Sequence, residues 1–182
     1  MRRRARGPAV VVTLSLLLGA SVTACADGGE AASETGGTGQ PNATIVRVVD
    51  GDTIVANVDG TDERVRMIGV DTPESVKENT PVECFGKEAS ARTAELLPRD
   101  TPVRLVLDAE PRDRYGRLLA YVYRTSDNMF VNKALVAEGF ANAYVYPPNV
   151  AHTDELKAAE RAARSSGTGL WSACRNNPPF NN

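Results

Sequence analysis

Apolar and polar positions alternate with a period of two from Thr44 onward. Thr44-Ile45-Val46-Arg47-Val48-Val49 and Thr53-Ile54-Val55-Ala56-Asn57-Val58 are β-branched runs separated by Asp50-Gly51, a pattern that predicts two strands joined by a turn. Asp59-Gly60 is a second hairpin signal leading to a third strand over 64–70, which Pro73 ends because proline cannot donate to a ladder. Residues 75–85 lack periodicity and read as an exposed loop. The spacing then changes to helical: Ala89, Thr93, Leu96 and Leu97 share a face over 87–97, and Glu88 stands four residues before Arg92. Two further strands, 103–107 and 118–124, flank the turn Asp113-Arg114-Tyr115-Gly116-Arg117. A short helix over 132–138 is closed by Gly139 at its C′ position. A last helix over 153–164 turns Leu156, Ala159 and Ala163 inward. Five short strands with a helix after the third and two helices behind them make an α+β pattern. So few antiparallel strands leave costly open edges, and a five-stranded OB-type β-barrel with about three helices removes most of them.

The N-terminus has a different character. Arg2, Arg3, Arg4 and Arg6 precede an apolar stretch from Ala9 to Leu18, shorter than the roughly 20 apolar residues a membrane-spanning helix needs. Small residues lead into Val22-Thr23-Ala24-Cys25. Residues 1–24 therefore read as a secretory signal peptide, and a cysteine directly after the cut resembles a lipobox, with Cys25 the lipidated N-terminus. The alternative is an ordinary signal with Cys25 a spare thiol. Residues 25–41 carry no large apolar side chain and read as a flexible tether. Residues 42–175 form the single folded domain, and 176–182 are a C-terminal tail. The expected location is extracytoplasmic, lipid-anchored to a bacterial cell membrane or secreted. Beyond Cys25, an exported domain holding Cys84 and Cys174 is expected to pair them in a disulfide, two buried thiols being the alternative.

Charge limits what the domain can be. Without the four leader arginines the folded part is net acidic, whereas a non-specific nucleic-acid binder carries a basic footprint. Any grip on phosphate has to be local.

The candidate chemistry lies in three tracts: Asp50-Gly51-Asp52-Thr53, Arg66 with Asp71-Thr72-Pro73-Glu74, and Asp113 to Arg117. Carboxylates beside turns suit a hard cation, a further carboxylate can take a proton from water, and arginines can clamp a phosphate bidentately. That combination is what metal-assisted attack on a phosphodiester requires.

In order, these tracts, with Ala143-Tyr144-Val145-Tyr146 and the closing Gly169-Leu170-Trp171-Ser172, resemble the staphylococcal nuclease (thermonuclease) family over about residues 42–174. The resemblance implies an OB barrel with helices and calcium-dependent hydrolysis of DNA and RNA, leaving 3′-phosphate ends. It implies Asp52 and Asp71 as Ca2+ carboxylates with the carbonyl of Thr72 as a third ligand, Glu74 as the group that activates water, and Arg66 and Arg117 on the phosphate. Tyr115 and Tyr144 would flank the nucleotide, favouring single-stranded or frayed substrate. The chain departs from the family at the 75–84 loop, which holds Lys77 with Glu78 and Glu83 where relatives carry several lysines. It departs again at Pro147-Pro148, where a cis bond is admissible. Both weaken the hold on a polyanion and leave the reacting set intact. His152, the one histidine, is expected at the surface. A monomer with no obligate protein partner is expected. The competing class is a catalytically silent OB module that binds oligonucleotides or a protein partner, for which Arg66, Glu74 and Arg117 would be dispensable.

Overall fold

The computed structural model describes residues 39–75 and 82–180. The signal peptide, Cys25, the tether up to residue 38, and Lys77 and Glu78 lie outside the described residues.

The predicted strands form a barrel. Strands β1 (Ala43–Val48), β2 (Thr53–Val58) and β3 (Thr61–Met67) form an antiparallel meander, and β5 (Pro102–Val106) and β6 (Leu118–Arg124) extend it beyond β1. Parallel pairing of β3 with β6, Arg66 opposite Leu119, closes the five strands on themselves. A register shift between Ile45 and Arg47 marks a bulge in β1, which bends the strand around the closure. Ile45, Ile54, Val65, Met67, Val103, Ala120 and Val122 fill the barrel. β6 is buried on both faces because Leu119 and Tyr121 pack outside the barrel with Ile68.

One expected strand divides in two. The run over 64–70 breaks at Ile68-Gly69, where Gly69 has φ +78°, a conformation that favours glycine. Beyond it β4 (Val70–Asp71) leaves the barrel and pairs with β8 (Asn142–Ala143). β7 (Met129–Phe130) forms a hairpin with β6.

Among the described residues there are four helices: α1 (Gly86–Leu96), α2 (Val131–Ala137), α3 (Thr153–Ser166) and the short α4 (Leu170–Ala173). Ala89, Thr93, Leu96 and Leu97 are buried as their spacing predicts, and so are Leu156 and Ala163, with Ala159 packed against the core. Gly139 follows α2 with φ +72°. The expected Glu88–Arg92 pair does not form. Arg92 donates instead to both oxygens of Glu138 after α2, at 2.7 and 3.1 Å, and to Glu95 on its own helix at 2.9 Å, the first a bidentate pair of favourable geometry. Cys84 and Cys174 are joined in the expected disulfide, and the Pro147–Pro148 bond is cis. His152 departs from expectation: it is half-buried, its ring 4.5 Å from that of Tyr121 and 4.8 Å from that of Phe130.

Candidate active site

Asp52 comes from the turn between β1 and β2. The N–H groups of Val49 and Asp50 donate to the Thr53 carbonyl at 2.9 and 3.2 Å, which closes the turn. A Cβ on Gly51 would lie 2.6 Å from the Thr72 hydroxyl oxygen, so the glycine admits Thr72. Thr72 uses that access to hold Asp52: its N–H and hydroxyl donate to Asp52 Oδ2 at 3.0 and 3.1 Å. The Thr53 hydroxyl donates to Oδ1 at 3.1 Å. The carboxylate is fixed before any ligand arrives. Only the carbonyl of Thr72 was anticipated as functional; its amide and hydroxyl have this separate task.

β3 carries Arg66 along the seam where the barrel closes. Its guanidinium bridges two carboxylates, Nη1 contacting Asp52 Oδ2 and Nη2 donating to Asp71 Oδ1 at 3.0 Å. Nη1 is buried, and its contact with Asp52 lacks hydrogen-bond geometry, so a donor there is left without an aligned acceptor. Asp71 is brought alongside by the β4–β8 pair.

Glu74 follows β4 in the stretch before α1. Its N–H donates to Glu83 Oε2 at 2.8 Å, and its carbonyl accepts the Glu83 N–H at 2.9 Å. Its own Oε1 accepts the Ser75 N–H at 3.0 Å.

Arg117 is set by its turn. Asp113 Oδ1 accepts the N–H groups of Tyr115 and Arg117 at 2.9 and 3.0 Å, and Oδ2 accepts Arg117 Nε at 2.7 Å. Burial pushes the Asp113 carboxyl up, but these donors together outweigh it and hold the group below its ordinary range. Asp113 is thus a support the motif contained but its role was not foreseen; the Asp-x-x-Gly turn spacing was the available signal.

These residues meet in two adjoining clefts. The smaller, about 150 Å³, is lined by Asp50, Asp52, Asp71, Thr72, Glu74, Arg66 and Arg117. The larger, about 580 Å³, shares Arg66, Asp71 and Arg117 and adds Arg114, Tyr115, Tyr144 and Tyr146. Tyr115 is 69% exposed and Tyr144 49%, with the Arg114 guanidinium 4.7 Å from the Tyr115 ring centre, so both stand at the rim. Asp52, Arg66, Asp71, Thr72, Glu74, Tyr115, Arg117 and Tyr144 therefore line this region from segments far apart in sequence, while Cys84 and Cys174 lie outside both clefts.

The electrostatics show an excess of buried negative charge. Burial, and then the charge of Asp52, push Asp50 up to about 6. Asp71 is also raised, first by burial, with Arg66 opposing and Asp52 and Glu83 adding to the rise. A divalent ion would relieve both. Among the described residues no three His, Cys, Asp or Glu side chains form a cluster that could cage a metal. The anticipated ligands, the carboxylates of Asp52 and Asp71 and the carbonyl of Thr72, are all oxygen, as are the other carboxylates lining the smaller cleft, Asp50 and Glu74. That set fits a hard cation whose remaining positions are taken by water and a phosphate oxygen, and it does not suit a metal that prefers nitrogen or sulfur.

Comparison with known proteins agrees with this geometry. Residues 64–173 match the family described as Staphylococcal nuclease homologue. The chain is 50% identical over 127 residues to a thermonuclease of Staphylococcus intermedius, covering 70% of this chain and 74% of that one. It is 46% identical over 128 residues to the thermonuclease of Staphylococcus hyicus, with the same shares covered. It is 42% identical over 133 residues to endonuclease YncB of Bacillus subtilis, covering 72% of this chain and 62% of that protein. With a closed barrel, a shared acidic and arginine-lined cleft and a match across most of the folded part, the chain belongs to the staphylococcal nuclease family.

Proposed function

We propose that this protein is a calcium-dependent nuclease that hydrolyses DNA and RNA to 3′-phosphate products. The observation that carries the reading is one cleft lined by Asp52, Asp71, Glu74, Arg66 and Arg117 together. The relatives named thermonuclease and endonuclease support the nuclease class.

Calcium, held by Asp52, Asp71 and the Thr72 carbonyl, would supply positive charge that orients the scissile phosphate and lowers its repulsion of the nucleophile. Thr72 and Thr53 keep the Asp52 carboxylate in place through three hydrogen bonds. Glu74 takes a proton from the attacking water; the water oxygen bonds to phosphorus as the bond to the 5′ oxygen breaks, and that oxygen leaves as the 5′ alcohol after taking a proton from solvent. Arg66, held between Asp52 and Asp71, meets one phosphate oxygen at the cleft wall, and Arg117, engaged by Asp113 at Nε, turns its terminal nitrogens to another. Both interactions strengthen as charge builds on the pentacoordinate centre, which is where they lower the barrier. Tyr115 and Tyr144 stack on unpaired bases, favouring single-stranded or frayed substrate.

The test is release of acid-soluble nucleotides from denatured DNA. Activity is expected with calcium and none with chelator. Glu74→Gln is expected to cut kcat by about 10²–10⁴-fold, the usual value of a placed general base, with an unchanged fold by circular dichroism. Wild-type turnover in that variant would remove Glu74 from the chemistry.

Lipidation at Cys25, with the domain outside the cell membrane on its tether, is proposed from the leader sequence. Cys25→Ser is expected to move the protein from the membrane fraction to the medium. Continued membrane residence would refute the anchor.

A further inference from the structure

The residue that would activate water stands in a stretch without regular structure, between β4 and α1, and it is held to another residue of that same stretch just ahead of α1. Two of its backbone contacts run to Glu83. Glu83 Oε2 accepts the Glu74 N–H at 2.8 Å while the Glu83 N–H donates to the Glu74 carbonyl at 2.9 Å. The two residues therefore clasp each other, one bond a charge-assisted one from an amide to a carboxylate. Glu83 is tied in turn to α1, its carbonyl accepting the Gly86 N–H at 3.0 Å. A Cβ on Gly86 would sit 2.5 Å from the Glu74 carbonyl oxygen, which shows how closely the start of α1 abuts the Glu74 backbone. The next residue after Glu83 is Cys84, bonded to Cys174 at the end of α4. A covalent bond to the last helix thus stands one residue from the clasp.

We propose that Glu83 is a positioning residue for Glu74, and that the Cys84–Cys174 disulfide is the anchor that keeps Glu83 in reach of it. The inference rests on Glu74 being the water-activating group. Hydrogen bonds to the backbone on either side of Glu74 fix where its side chain starts, and a misplacement of about 1 Å at a reacting group can cost on the order of 10²-fold in rate. Without the disulfide, the segment before α1 is held by hydrogen bonds and by the stacking of Phe85 on Phe140, centroids 5.3 Å apart. The clasp would then open part of the time. Oxidation of the two cysteines is on this view a requirement of turnover as well as of stability.

The experiment compares Glu83→Ala, Glu83→Gln and Cys84→Ser/Cys174→Ser with wild type on denatured DNA in calcium, each below its own melting temperature. Glu83→Ala is expected to lower kcat by at least about tenfold with KM changed less than about twofold. Glu83→Gln, whose amide oxygen still accepts the Glu74 N–H, should recover most of that loss. The double serine variant should lose kcat as well, and adding Glu83→Ala to it should cost less than in wild type, since both act on one clasp. A purely structural role would lower the melting temperature without that split between kcat and KM and without rescue by glutamine, and would overturn the proposal. So would wild-type kcat in Glu83→Ala. Amide exchange at Glu74 is the readout independent of turnover: protection is expected in wild type and lost in Glu83→Ala, and protection retained in the variant refutes the clasp. A Glu74→Gln variant that cuts like wild type would instead bring down the proposed function, so the two failures are distinct.

Discussion

Asp50 shows how one residue records the character of the cleft. Its carboxyl is pushed to about 6 by burial and then by the neighbouring charge of Asp52, although its Oδ1 accepts the Asp52 N–H at 3.2 Å. The folded chain therefore binds this proton more tightly than the unfolded chain does. The stabilisation from protonation is complete below the unfolded value of about 3.8 and is lost as pH rises through about 6. Asp50→Asn keeps an oxygen for the Asp52 N–H and removes the charge. In chelator at about pH 7.5, that variant is expected to be more stable than wild type by about 1–3 kcal/mol. The gain should fade as pH falls from about 6 to 4, where the wild-type side chain is itself neutral. Denaturant titrations across that range check it. Equal stability at pH 7.5 would mean the cleft does not hold the excess negative charge that a cation is supposed to relieve. Other residues act as supports: Thr72 for Asp52 and Asp113 for Arg117 each make hydrogen bonds to a charged neighbour that does the grasping.

At the level of elements, what could be read from the sequence depended on length. β1, β2, β5 and β6 were visible because five to seven residues are enough to display a period of two. β4, β7 and β8 are two residues each and cannot display any period; their pairing is a consequence of tertiary packing. The chain break at Gly69 was hidden for the same reason, since Arg64 to Val70 reads as one continuous strand until a left-handed glycine is required. That break is what carries Asp71 out of the barrel and beside Arg66. α4 is a single four-residue turn, likewise below the resolution of helical spacing. For Arg92 the local rule points to Glu88, but the side chain takes Glu95 at i,i+3 and Glu138, 46 residues away, and local spacing cannot express the second contact. Asp52, Tyr115 and Arg117 were legible because they stand at or beside a turn between readable strands, whereas Asp71 on β4 and Tyr144 after β8 sit by elements too short to read and were legible only within their motifs. Their supports were less legible: the Thr72 bonds to Asp52 span 20 residues, and the Glu83 clasp joins the two sides of a loop without periodicity. His152 was misjudged because its partners, Tyr121 and Phe130, come from β6 and β7, and only the fold brings their rings to it.

The molecule as a whole carries a formal charge of −2 and yet has to bind a polyanion. Long-range attraction is therefore absent, and binding has to come from a few arginines in the clefts, Arg66, Arg114 and Arg117, with aromatic stacking at the rim. Each phosphate neutralised on a single strand contributes about −0.7 to the slope of log affinity against log salt. Three such contacts predict a slope near −2. With calcium held constant, KM for a denatured oligonucleotide should rise roughly 15-fold between about 50 and 200 mM salt. A basic nuclease that tracks the backbone over many phosphates would show a far steeper dependence, with slopes of about −5 or beyond. Steady-state kinetics on one oligonucleotide across that salt range decide between them. A steep slope would locate a second basic surface and refute the idea of a purely local grip. A shallow one means that affinity is limited by stacking and the cation, so this enzyme would be expected to release cut products readily and to act on strands as they become accessible, since little in its overall charge would retain them.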